Sequence, residues 1–126
     1  MSHWGKVILP IAILALAFPA AAQVPVPPAT AFDGHYASVS AHVSKYRASG
    51  ERCPREHLPD PLTITNGVIR STGRDRWAGT ANLQGEVTLR NRRAMRVNGQ
   101  IDPQGTLTGH YHGPACIVTF VWRKET

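Results

Sequence analysis

The stretch GTANLQGEVTL, residues 79–89, returns in altered form as GQIDPQGTLTG, residues 99–109. In both, alternating apolar and polar residues run into a polar corner and out again. The side-chain oxygens of Asn82 and Asp102 are placed to bond the backbone just ahead of them. Pro103 presets φ at the second turn position, and Gly85 and Gly105 supply the left-handed residue that closes the turn. Each stretch reads as a β-hairpin, and their likeness marks a repeated hairpin form. A third stretch, PLTITNGVIRS at 61–71, places Asn66-Gly67 between β-branched runs. That dipeptide suits a two-residue hairpin turn because both central positions need positive φ.

Working outward from these corners, strands are expected at 32–42, 61–66, 68–72, 76–82, 86–91, 95–102, 106–112 and 116–123. Side-chain parity gives the faces. Met95, Val97, Gly99 and Ile101 share one side, opposite Arg96, Asn98 and Gln100. Leu107, Gly109 and Tyr111 point inward, with Thr106, Thr108, His110 and His112 outward. Trp77, Gly79 and Ala81 are inward, as are Val87 and Leu89. Glycines on the inward side permit sharp sheet curvature or close packing. The last strand, CIVTFVWRK, is apolar on both sides, as a strand covered on both faces or at an interface would be. The fold class is all-β: a small antiparallel up-and-down barrel or curved meander of about eight strands, with a two-sheet sandwich as the alternative.

The chain opens MSHWGKVILPIAILALAFPAAAQ. Lys6, the apolar run Val7–Phe18 and Ala20-Ala21-Ala22 have the form of a secretory signal peptide over 1–22. The run is too short for a bilayer span, which needs about 20 apolar residues. Residues 23–31 are rich in proline and read as an extended tether. Residues 32–126 then form a single β-domain. The expected location is the periplasm or outside the cell, with no transmembrane span after cleavage.

Cys53 and Cys116 are the only two cysteines. In an oxidising compartment they most simply pair with each other, closing a loop worth roughly 4 kcal/mol in the chain-entropy model. The protein is basic: 14 Lys plus Arg against 8 Asp plus Glu, a net charge of +6. Removing Lys6 with the signal leaves +5. For an exported protein this balance points to acidic polysaccharide, lipid head groups or an acidic protein rather than to nucleic acid. Plain solubility is the other reading.

If the strands alternate up and down, the turns at 66–67, 82–85 and 102–105 share one end. The connections 43–60, 73–75, 92–94 and 113–115 share the other, and both cysteines lie there. That second end gathers Arg47, Arg52, Arg55, Arg74, Arg92 and Arg93, with Arg76, Arg90, Arg96 and His112 on adjoining strand ends. Arginine suits bidentate contact with phosphate or carboxylate, and ligands of small barrels enter at such a mouth. An anion-binding rim is therefore expected, against the alternative of idle, solvated loop arginines.

In GHYHGPAC, 109–116, His110 and His112 lie on one strand face and are candidates for a metal ion. Two ligands do not complete a zinc site, which takes three or four from the protein. His35, His42 or His57 would have to join them; otherwise they are a surface pair with Tyr111 behind. The carboxylates are scattered, Asp102 is needed by its turn, and Ser38 and Ser40 lack a nucleophile-elbow pattern. No glycine loop for phosphate is present. No cofactor and no catalysis are expected.

Residues 32–124 resemble small exported proteins of Gram-negative bacteria. The shared elements are FDGHY at 32–36, Cys53-Pro54, LTITNG at 62–67, Trp77–Gly79, VNGQIDPQG at 97–105 and CIVTFVWRK at 116–124. The resemblance implies the exported compartment and a disulfide, and no activity. The functional expectation is a non-catalytic β-domain binding an anionic partner. A protein inhibitor or adaptor, or an envelope protein with no ligand, are the alternatives, and a metal-dependent enzyme ranks below them.

Overall fold

The computed structural model describes Gly5, residues 30–45 and residues 53–126. The proposed signal peptide, Gly5 apart, residues 23–29 of the tether, Arg47 and Arg52 lie outside the described residues. The described chain forms eight strands: β1 (Gly34–Lys45), β2 (Leu62–Thr65), β3 (Val68–Arg70), β4 (Ala78–Ala81), β5 (Glu86–Arg90), β6 (Arg96–Ile101), β7 (Thr106–His112) and β8 (Cys116–Lys124). Each pairs antiparallel with the next, and β8 pairs with β1, so the sheet closes into a barrel. The first of the two expected architectures is the one formed. Most strand ends fall within two residues of expectation. β1 instead runs on to Lys45 because it follows β8 along nine register pairs.

Of the side chains that parity placed inward, Trp77, Ala81, Val87, Leu89, Val97, Ile101 and Leu107 are buried and Met95 and Tyr111 pack against the core, which also takes residues of β1, β2, β3 and β8. Tyr36, Leu62, Ile64, Ile69, Trp77, Val87, Leu89, Val97, Ile101, Leu107, Val118, Phe120 and Trp122 are buried together. Trp77 meets Phe120 and Trp122 edge-on, at ring-centroid distances of 5.7 and 6.3 Å. No polar or charged residue is buried among the described residues. Eight strands leave an interior just wide enough for side chains to fill, and here they fill it. The basic end therefore caps a packed core.

Closure of so small a barrel demands tight coiling, and two inward glycines allow it. A Cβ on Gly79 would collide with the Thr88 carbonyl, and one on Gly99 would sit 2.6 Å from the Thr108 carbonyl. The strand backbones approach each other where these side chains are missing. Of the two readings of β8, cover on both faces is not what the barrel shows. Val118, Phe120 and Trp122 are buried, but the outward Ile117, Thr119 and Val121 are only half-buried. Its outer face carries no second layer among the described residues.

The seam between β1 and β2 is the shortest closure of the long strand. It has three register pairs, from Gly34↔Ile64 to Tyr36↔Leu62. A strand of 12 residues meets one of 4, so the upper edge of β1 needs another cover. The segment Cys53–Pro61 supplies it. The Ser38 hydroxyl donates to the Pro59 carbonyl, and the Val43 N–H donates to Glu56 Oε1 at 2.9 Å. Cys53 and Cys116 form a disulfide, Cα–Cα 5.8 Å, across a sequence separation of 63 residues. It ties this covering segment to the start of β8.

Candidate functional site

The hairpin corners set the two ends of the barrel. At Asn82, Asn91 and Asp102 one turn design recurs. The side-chain Oδ1 accepts two backbone N–H groups: Gln84 and Glu86, Arg93 and Met95, Gln104 and Thr106, all within 2.9–3.0 Å. The fourth residue has positive φ: Gly85 at 77°, Ala94 at 61° and Gly105 at 84°. Two of these corners were legible as a repeat. The third was expected as a connection at 92–94, but its likeness to the other two was hidden because alanine stands where they have glycine, although Asn91 carried the same signal. It holds Arg92 and Arg93 at its apex, on the end opposite the other two.

The topology sorts charge between the ends. At the end of the cystine lie Arg55, Arg74, Arg76, Arg92 and Arg93 in connections, with Arg70, Arg90 and Arg96 on strand ends; all eight are exposed. Arg70 was not among the expected site residues, though alternation along Val68-Ile69-Arg70 already placed it outward. Three described carboxylates share this end, and each is engaged. Glu56 accepts from Val43 and lies 3.6 Å from His42 Nδ1. Asp60 and Asp75 clasp one another: the Asp75 N–H donates to Asp60 Oδ2 at 2.6 Å, and the Asp60 N–H donates to Asp75 Oδ2 at 3.1 Å. The clasp joins the covering segment to the β3–β4 connection. Trp122 Nε1 donates to the Asp60 carbonyl at 2.9 Å, anchoring it to the core. Among the described residues no arginine has an ion-pair partner.

The opposite end is acidic. Asp33, Glu86, Asp102 and Glu125 lie there against Arg123 and Lys124. Asp33 accepts the N–H groups of Asn66 and Gly67 at 2.7 and 3.2 Å, holding the two-residue turn. Tyr36 donates to the Phe32 carbonyl at 2.6 Å. Burial lifts its phenol above the ordinary value, and the charge of Asp33 adds to the rise.

Register aligns the wall arginines. His35 pairs with Thr63, Thr63 with Arg70, Arg70 with Ala78, Ala78 with Arg90 and Arg90 with Arg96. Like charges directly opposite one another destabilise a sheet, and Arg90 faces Arg96 without a carboxylate between them. A cleft of about 330 Å³ opens at the start of this row, between His35, Thr63, Arg70, Ser71 and Glu125. It lies on the outer wall.

The described histidines do not converge on one point. His110 and His112 have ring centroids 6.3 Å apart. His110 Nδ1 lies 3.1 Å from Thr119 Oγ1, and His35 Nδ1 lies 3.1 Å from Thr63 Oγ1. His42 faces Glu56 and His57 faces Asp75. Among the described residues no three His, Cys, Asp or Glu side chains gather as metal ligands.

The fold and these charges define a closed eight-stranded antiparallel barrel with a packed core and an arginine-rich end. Comparisons with protein-family models, with curated proteins and with solved structures find no match.

Proposed function

We propose that this protein is an exported, non-catalytic binding domain whose arginine-rich end captures an anionic partner of the cell envelope. The observation that carries this reading is the sorting of charge. Eight exposed arginines stand at one end, where Glu56, Asp60 and Asp75 are already engaged, and Glu125 reaches only the cleft beside Arg70. Unpaired guanidinium groups are free to chelate carboxylate or phosphate through two parallel hydrogen bonds. The acidic far end would orient the barrel in an anionic field. The disulfide fits an oxidising compartment.

Chromatography on an immobilised sulfated polysaccharide tests this. Retention at low salt, with elution moving to lower salt when Arg92 and Arg93 are both changed to glutamate, is the expected result. Exposed charges are screened over about 8 Å at physiological ionic strength, so binding should weaken steeply as salt rises. Passage through the column at low ionic strength would remove the proposal.

A further inference from the structure

We propose that the outward row His35–Thr63–Arg70–Ala78–Arg90–Arg96 is a track for a linear acidic polysaccharide, one carrying a carboxylate on successive or alternate sugar rings. This rests on the anion-binding reading of the basic end and names the ligand class. The row is continuous in register over six strands, from β1 to β6. At about 4.8 Å between neighbouring strands it runs for roughly 24 Å along the wall. Arg90 and Arg96 are one strand apart, and Arg70 is two strands from Arg90. Cations so placed meet charges repeating along a chain.

A second outward row lies two residues away along each strand, about 6.7 Å from the first. It reads Val68–Thr80–Thr88–Asn98–His110 across β3 to β7. Its hydroxyl and amide groups face the same side of the wall as the arginines. They supply donors and acceptors for the ring hydroxyls of a sugar whose carboxylates sit on the first row. Small side chains at Ala78, Thr80 and Thr88 keep the surface between the arginines low enough for a chain to lie across it.

Curvature separates this ligand from a membrane. Arg70 on β3 and Arg96 on β6 stand three strands apart in a closed ring of eight, and with the strand tilt of about 40° usual in such barrels their outward directions diverge by roughly a quarter of a turn. A flat bilayer cannot meet both, whereas a flexible polymer wraps the wall. Among the described residues no outward aromatic ring is offered for insertion either. The described aromatics Phe32, Tyr36, Trp77, Tyr111, Phe120 and Trp122 all belong to the core or pack against it. The same lack weighs against single-stranded nucleic acid, whose binding depends on aromatic platforms for the bases.

Calorimetric titration of the disulfide-bonded protein with polygalacturonate oligomers of graded length tests the track. Vesicles of phosphatidylglycerol and a single-stranded oligonucleotide serve as rival probes. Two variants remove the same charge: Arg90→Gln with Arg96→Gln on the row, and Arg92→Gln with Arg93→Gln at the corner. Affinity should rise with oligomer length and level off once the chain covers the row. The row variant should weaken binding about tenfold and the corner variant about threefold or less, both melting like the parent, since charge-assisted bidentate contacts are the strong ones. Equal weakening by the two variants would overturn the track and leave a diffuse basic end intact. So would vesicle or oligonucleotide binding tighter than that of the glycan. Absence of binding to all three probes would overturn the track and the proposed function together.

Discussion

Ala94 occupies a backbone position that its two counterparts give to glycine. Its φ of 61° matches those of Gly85 and Gly105 in turns with the same hydrogen bonds. A side chain in the left-handed region costs roughly 1–2 kcal/mol, and glycine returns part of that gain through its looser unfolded chain. Ala94→Gly should therefore stabilise the domain by about 1 kcal/mol in chemical denaturation; a loss of stability would show that the corner is shaped by something other than backbone strain. Tyr36 makes a second residue-level test. Its phenol is buried, donates to Phe32 and has a raised pKa. The native state thus holds this proton more tightly than the unfolded chain does. The contribution is complete below the ordinary value near pH 10 and is lost as pH climbs through the raised native one. The stability of the parent should fall more steeply above pH 10 than that of Tyr36→Phe, the other titrations being common to both. Parallel pH curves would mean that the phenol is already ionised in the fold or is not held.

Among the elements, β1 decides how the barrel closes. It has nine register pairs with β8 but three with β2. Beyond Tyr36 the cover is a covalently tethered segment holding on through side chains. The Val43 N–H depends on Glu56 for its described partner. In Glu56→Ala, amide exchange at Val43 should speed up about tenfold, the equivalent of about 1.4 kcal/mol. Amides of β5 and β6, which pair with each other over five positions, should be unchanged. Uniform acceleration would mean that β1 opens only with the whole barrel. This division follows what was legible beforehand. Hairpins announced themselves because Asn66-Gly67, Asn82–Gly85 and Asp102–Gly105 are local turn chemistry, and parity then delivered the core. The seam was not legible, because the pairing of Gly34 with Ile64 joins residues far apart in the chain and no local pattern encodes it. The reading of β8 as covered on both faces misled for a related reason. Ile117 and Val121 are half-buried by their neighbours on the wall, a condition that an apolar run does not distinguish from full cover.

At the scale of the molecule, the up-and-down path is what turns scattered loop arginines into one charged end. That much followed from counting corners, since alternate connections of a meander must fall at alternate ends. The alignment of Arg70, Arg90 and Arg96 did not follow, because register depends on the coiling that Gly79 and Gly99 permit. The cystine holds the arrangement together. It links the segment bearing Arg55 and the Asp60–Asp75 clasp to β8, bridging 63 residues. Closing a loop of that length in the unfolded chain is worth about 4 kcal/mol, against a total of about 5–15 kcal/mol for a domain of ordinary stability. Replacing Cys53 and Cys116 together by serine should lower the melting temperature by about 20 °C. The loss should not be confined to stability. With the covering segment released, Arg55 and the clasp lose their anchor while the turns at Asn82 and Asp102 keep their own hydrogen bonds. Polyanion affinity of the double variant, measured well below its melting point, should fall, and far-end amides should keep their order of protection. A variant that melts like the parent would mean that the seam is held by the core alone, with Trp122 and its bond to Asp60 sufficient to keep the segment in place.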